Sequence, residues 1–448
     1  MHAKTIAARW VVLLASIFLF LAIRSDAQAD SSPSSDEWTF NQMLEKEIDW
    51  RPSGLHTYWK EGFHIDSPQG RLKFTIGGSI MVDGGSVNVN HQLKEAFPGL
   101  EGPAADLRRL RVNILTTIYD VLDLKLDVDF ANIREIKDNW IGLKNKIPVL
   151  GYIKFGNMKE PFSLEELTSS TNITFVERSL PTLAFAPGRD IGLIINNAIF
   201  DERMTWAVGS FWNTRSFGNV GEGIDRISNA NGYNLTARVT GLPWYEDGGK
   251  KLFHLGLSYS HGVREKNKEV IFNASPESYL KDNKLVDTGN LFMNRVDLID
   301  TELAMVLGSF SLQGEYYHAF TGGSEVGNPK FWGGYLQVSY FLTGEHRIYD
   351  TANGIFLRIK PKNDFHPLKG KWGAWEVAAR LSYLDLNDGG DIKGGQETNL
   401  TLGLNWYLNP NIRVMFNYIR AHVEDRKTYP PVDKGNANIF QTRLQFAF

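Results

Sequence analysis

Along the 448-residue chain, Arg109, Arg111, Lys125, Lys154, Arg238, Arg380, Arg413 and Arg443 each fall on the polar side of a run in which apolar and polar residues alternate. Asp123, Asp127, Asp129, Glu302, Glu315 and Glu376 share that side. A guanidinium offers two parallel N–H donors to an oxyanion. Several of them facing one water-filled space could replace the hydration shell of an anion in transit. The plainer chemistry is solvation and salt bridging along a wall. Catalytic constellations find less support. There is no Cys, no HExxH, GxSxG or Walker A sequence, and the 10 His are scattered without metal-ligand spacing. No enzyme activity, metal or cofactor is therefore expected. His254, on the polar parity, reads as a hydrated lining residue rather than a base.

The elements that would carry these cations are long amphipathic strands. Leu72, Phe74, Ile76, Gly78, Ile80 and Val82 alternate with Lys73, Thr75, Gly77, Ser79, Met81 and Asp83. Leu122 to Phe130 does the same around Asp123, Lys125, Asp127 and Asp129, and so do Trp375 to Tyr383, Leu400 to Tyr407 and Ile412 to Tyr418. Further candidates are 107–119, 150–158, 191–197, 204–213, 233–240, 253–261, 297–307, 310–317 and 334–342. Period-two runs of this length suit a bilayer crossing with one face to lipid and one to water. Periodicity alone marks about fourteen strands. Short turns such as Asn409-Pro410-Asn411 contrast with longer polar stretches at 216–231, 262–295, 322–330, 358–370 and 424–437, the pattern of short periplasmic turns and long external loops. Trp206, Trp212, Trp244, Trp332, Trp406 and Tyr407 suit interfacial girdles. A secreted β-sandwich or β-helix is the soluble rival.

The termini agree with export. His2, Lys4 and Arg9 precede the apolar run Trp10 to Ile23, and Ala27-Gln28-Ala29 follows, which reads as a signal peptide cleaved after Ala29. The run is too short for a spanning helix, which needs roughly 20 residues. Removing it leaves a net charge of about -5 and no basic bias toward nucleic acid. Residues 30–67, with helical potential at Asn41 to Ile48, read as a polar, irregular periplasmic segment, and 68–448 as the barrel. The last strand alternates Phe440, Thr442, Leu444 and Phe446 with Gln441, Arg443, Gln445 and Ala447 and stops on Phe448. That ending resembles the signal read by the barrel-assembly machinery of the outer membrane.

One segment breaks the strand rhythm. In Lys159–Leu180, Ser163 and Glu166 form a capping box that starts a short helix. Folded inward, this loop would narrow the lumen. Lys159, Glu160, Glu165, Glu166, Glu177 and Arg178 are net acidic, which suits pairing with wall arginines, and Arg189 follows nearby. A plug or a subunit-contact loop is the simpler role.

Gly70–Gly85, KEPFSLEELTSSTNITFVERSL at Lys159–Leu180, APGRDIG at Ala186–Gly192, FLTGEHR at Phe341–Arg347, Gly373–Leu386 and GLNWYLNP at Gly403–Pro410 together resemble the phosphate-selective porin O and P family, over about Glu61 to Phe448. The resemblance implies an outer-membrane antiparallel barrel of about sixteen strands, a homotrimer, and a lumen lined partly by Arg and Lys. It implies passive diffusion of small anions, phosphate or polyphosphate foremost. Two other roles remain open: a channel for sugars or carboxylates, and a non-conducting structural or adhesive surface barrel.

Overall fold

The computed structural model describes residues 54–131, 135–144, 150–213, 232–264, 269–323, 327–390 and 392–448. Within them, sixteen antiparallel strands close into a barrel. They are β1 Leu72–Val89, β2 Gly102–Ile118, β3 Leu122–Asp129, β4 Asn139–Lys144, β5 Tyr152–Lys159, β6 Arg189–Ile199, β7 Met204–Trp212 and β8 Gly232–Glu246, followed by β9 Lys251–Arg264, β10 Arg295–Leu307, β11 Phe310–Gly322, β12 Lys330–Phe341, β13 Ala374–Asn387, β14 Lys393–Tyr407, β15 Ile412–Arg426 and β16 Val432–Ala447. Each pairs with the next, and β16 closes the ring on β1 from Ala437↔Val89 to Ala447↔Ser79. Closure leaves no unpaired edge, the condition for a sheet in hydrocarbon.

Alternation decides which face is which. Leu336, Leu381 and Leu444 are more than half exposed on the outside, whereas Gln337, Arg380 and Arg443 beside them are at most 5% exposed. Facing lipid, those leucines avoid the roughly 2–4 kcal/mol that a charge costs at mid-membrane. The periodicity does not mark β4, whose six residues are too few to show it. Trp375 and Trp406 stack on each other at 5.1 Å between ring centroids. Tyr407, read as a girdle residue, instead turns inward and donates to Glu376 at 2.7 Å.

Successive connections alternate between the two barrel ends. Short turns at 119–121, 200–203, 247–250, 308–309 and 408–411 mark one end. The other carries 90–101 with helix α1 (His91–Ala96), 160–188, 265–294, 323–329 and the five-residue links 388–392 and 427–431. Residues 358–370, expected among the external loops, belong to the connection 342–373 between β12 and β13, which lies at the short-turn end. Part of that connection enters the lumen: Asn353 and Gly354 carbonyls accept from Arg238, and the Phe356 N–H donates to Thr168 Oγ1. The expected 424–437 loop is mostly strand, and 216–231 lies outside the described residues.

Of the N-terminal segment, residues 1–53 lie outside the described set. His56–Trp59 and Phe63–Asp66 form a hairpin rather than an irregular stretch, and Phe63–Asp66 pairs with Lys73–Ile76 of β1 just beyond the end of β16. Four-residue strands are too short to betray themselves by alternation.

The lumen is not uniformly wet. Toward the long-loop end, Phe272, Leu280, Leu285 and Met293 of the 265–294 connection pack with Leu180, Ala184 and Phe185 of the 160–188 loop against inward-facing Val296, Leu298, Phe331, Leu384, Ile419, Val423 and Ile439. Part of the barrel is filled like a globular core.

Candidate functional site

The 160–188 loop leaves β5, crosses the lumen and returns to β6. Its first turn, α2 (Leu164–Leu167), begins at Ser163, whose hydroxyl accepts from the Glu166 N–H at 3.0 Å. Ser163 adopts φ 69°, a strained value for a non-glycine residue, and burial fixes it there through a hydrogen bond to Tyr317 Oη at 2.8 Å. A second turn, α3 (Leu180–Phe185), carries Pro181 in its first turn.

The loop is tied to the wall by charge. The Glu177 carboxylate, 1% exposed, accepts from Arg108 at 2.8 Å and Arg443 at 2.6 Å, with Arg109 at 3.7 Å. Burial alone would push Glu177 up, but these guanidiniums hold it well below the usual carboxylate range. Arg443 also donates to Asp83 at 2.6 and 2.7 Å. Arg380 bridges Glu165 at 3.2 Å and Glu277 at 2.7 Å. Arg413 donates to the Ile173 and Thr174 carbonyls at 2.7 and 2.8 Å. Glu165 further accepts from the Ser179 amide and hydroxyl and from Thr182. Asn234 and Thr236 donate to Glu160.

Lys159 and Arg178 share Glu166, at 3.2 and 2.9 Å, and Lys159 also reaches the Glu166 carbonyl. Burial opposes ionisation of Glu166, yet Arg178 and Lys159 bring it down to about 2. Arg178 donates to the carbonyls of Glu165, Glu166 and Thr168 as well, closing the turn.

The remaining cations are held along the wall. Arg111 pairs with Asp129 at 2.7 Å and Arg189 with Asp138 at 2.7 Å, while Lys125 donates to Asn113 at 3.2 Å. Arg238 makes a bidentate pair with Glu302 at 2.7 Å for both bonds. Lys154 lies over the rings of Tyr152 and Trp140, at 4.7 and 5.2 Å. Arg109 reaches the Met81 sulfur at 3.3 Å, and its Nε is buried without a hydrogen-bond partner among the described residues. His254 is not hydrated: it is fully buried, bonded to Tyr349 Oη at 2.6 Å and Glu302 at 3.0 Å.

Two cavities of about 240 and 250 Å³ lie beside the loop, on the β2–β8 side of the barrel. The first is lined by Arg108, Arg109, Arg111, Lys137, Lys159, Arg178 and Arg189, against Asp127, Asp138, Glu166 and Glu177. The second runs toward the short-turn end past Lys154, Lys159, Arg238 and the inserted residues Ala352, Asn353 and Ile355. Both touch Asp138, Lys159 and Leu167. Arg108 escaped the parity reading because β1 and β2 slip register between Met81 and Val82, so that Met81 pairs with Arg109 and Val82 with Leu107. The bulge turns both Arg108 and Arg109 inward.

A closed barrel with an apolar outer belt and a charged lumen narrowed by its own loop is the architecture of an outer-membrane porin. The chain belongs to the family described as phosphate-selective porin O and P, whose model matches residues 90–448. An uncharacterised protein of Caulobacter vibrioides is 28% identical over 372 residues, 79% of this chain and 70% of that one. Porin O of Pseudomonas aeruginosa is 23% identical over 433 residues, 87% of this chain and 91% of the relative. OmpT, an outer membrane protein of Vibrio cholerae, shares the fold with a TM-score of 0.50 at 11% identity, covering 84% of this chain and 98% of its own.

Proposed function

We propose that the protein is a passive diffusion channel for small anions, with inorganic phosphate or polyphosphate preferred, and not an enzyme. The observation that carries this is the pair of cavities meeting at Lys159, the first lined by seven cations against four carboxylates. An anion entering beside Arg109 could pass to Lys159 and on to Lys154 without recovering a full water shell, provided each stop binds weakly. The family and the Porin O relative support phosphate as the solute. On this reading, residues 1–29 direct export and are removed, 30–67 stay in the periplasm, the barrel sits among outer-membrane lipids as a homotrimer, and Phe448 serves the assembly machinery.

Planar-bilayer recording tests it. Anion over cation selectivity and block of chloride current by phosphate are expected, and Lys159→Gln should raise the blocking concentration about tenfold, since one charge at about 4 Å in a wet lumen is worth on the order of 1–2 kcal/mol. Cation selectivity would overturn the reading, and block by sugars or carboxylates without block by phosphate would reassign the solute. The apolar core filling part of the lumen favours one other role, a plugged structural barrel. Correct insertion with no conductance would establish that role instead.

A further inference from the structure

The second cavity holds more than the passage of a simple ion requires. Its volume is about 250 Å³, of which a tetrahedral phosphate fills only a fraction. Two of its three cations are already engaged: Arg238 by Glu302 and by the Asn353 and Gly354 carbonyls, and Lys159 by Glu166. Lys154 differs from both. Its ammonium stands over the rings of Tyr152 and Trp140, with no ion pair and no hydrogen bond among the described residues. Aromatic faces attract a cation without neutralising it, so the whole charge is offered to the cavity.

The wall around Lys154 is apolar rather than charged. Met158 and Ile194 are buried with Phe211 and pack against Trp140, and Met158, Ile194 and Trp140 all line the cavity. Register orders these groups: Lys154 of β5 lies directly across from Ile194 of β6, and Tyr152 directly across from Asn196. Neighbours on one face of a strand are about 7 Å apart, so Lys154 and Asn196 stand at the two ends of one short stretch of wall. Asn196 Oδ1 is buried and receives no hydrogen bond from any described residue. A buried acceptor left unmet costs about 1–3 kcal/mol, and a hydroxyl donor on a solute would meet it.

We propose that the second cavity takes the organic part of phosphate monoesters of small polyols, so that the channel carries these esters besides inorganic phosphate. This rests on the anion-channel reading above. The ester's phosphate would lie at Lys154, its carbon chain along Ile194 and Met158, and one of its hydroxyls would donate to Asn196 Oδ1. Inorganic phosphate uses only the first of these three features, because it has no carbon face for the apolar wall and does not span about 7 Å. A neutral polyol lacks the charge that Lys154 answers. Apolar lining with a few placed polar groups is how proteins hold small organic solutes. The ester would arrive from the first cavity, which shares Asp138, Lys159 and Leu167 with the second.

The test is block of chloride current in planar bilayers by glycerophosphate, inorganic phosphate and glycerate, at about pH 8, where the monoester is fully ionised. Glycerophosphate is expected to block at or below the concentration that inorganic phosphate needs, and glycerate only at a higher one. In Asn196→Ala the blocking concentration of glycerophosphate relative to inorganic phosphate should rise about fivefold, the worth of one net hydrogen bond. Lys154→Gln should weaken block by both solutes. If inorganic phosphate blocks wild-type current and glycerophosphate needs a clearly higher concentration, this inference fails while the anion-channel reading stands; if neither blocks, both fail. That comparison needs no variant to fold. An unchanged ratio in correctly inserted Asn196→Ala, or wild-type block in Lys154→Gln, would also overturn the inference. So would tighter block by glycerate, which would make the solute a hydroxy acid.

Discussion

Replacing Glu177 by Gln should release the constriction loop while leaving the barrel intact. Glu177 is the one loop carboxylate that three wall arginines approach, at 2.6, 2.8 and 3.7 Å, and its side chain is only 1% exposed. Breaking one partner of a buried ion pair typically costs about 3–5 kcal/mol, because the remaining charges are stranded. Two features lower the figure here. Arg443 keeps Asp83, and the new amide oxygen still accepts from Arg108. A cost of about 2–3 kcal/mol remains, which moves the balance between docked and released loop by roughly 30- to 150-fold. Single-channel recording should show more frequent excursions to larger conductance. Anion selectivity should rise, because Arg108 and Arg109 lose their counter-charge on the edge of the first cavity. The heat-modified electrophoretic band should persist, since no strand pairing changes. Wild-type dwell times and ion selectivity in a correctly inserted variant would refute the claim that Glu177 fastens the loop.

Arg109→Gln should weaken phosphate block several-fold, because its nearest carboxylate is 3.7 Å away and its Nε is unpartnered, whereas Arg111→Gln should change block less, since Arg111 is already spent on Asp129 at 2.7 Å. Equal effects in the bilayer would mean that hydrogen-bond partners do not decide which arginine meets the anion. The loop should resist mild acid. Glu166 sits near 2 in the folded protein against about 4.3 for an unperturbed glutamate, so its contribution is complete above that ordinary value and is lost as the pH falls toward 2. Glu166 is therefore expected to stay ionised between Lys159 and Arg178 from pH 7 to about 4.5, and a carboxyl titration of Glu166 within that interval, read by the infrared or NMR difference between wild type and Glu166→Gln, would refute it. Deleting Phe448 removes two backbone hydrogen bonds of 2.9 Å to Gly78 and a ring stacked on Trp59 at 5.6 Å, and should lower the yield of heat-modifiable barrel in the membrane fraction; an unchanged yield would assign the last residue no part in assembly.

The barrel was legible wherever only one face of a strand is apolar. β1, β3, β13, β14 and β15 all show period-two alternation over at least seven residues, and their lumen parity places Lys125, Arg380 and Arg413 inside. Legibility stopped where a rule that holds over several residues is interrupted locally. The bulge opposite Met81 hides Arg108, the shortness of β4 hides a strand, and nothing local tells that 342–373 belongs to the short-turn end, because the side of a connection depends on counting every strand before it. Pairing was less legible still: whether Arg111 meets Asp127 or Asp129 follows from register across two strands, which places Arg111 against Asp129.

Alternation in β15 ends for the eye at Tyr418 and in β13 at Tyr383, yet the strands continue to Arg426 and Asn387. They continue because Ile419, Ala421 and Val423, and likewise Leu384 and Leu386, face inward onto the packed loops instead of water. The alternation reverses parity there, with Arg420, His422 and Glu424 of β15 and Asp385 of β13 on the outward face. A lumen filled by apolar loops at one end asks for apolar residues inside, while the outer face of these strand ends is polar. The same strands keep Arg380 and Arg413 inward lower down, beside Asn405 of β14, where the lumen lining is polar. The boundary between the two patterns therefore locates the constriction along the barrel axis, and it falls where Glu165, Thr174 and Glu177 meet the wall.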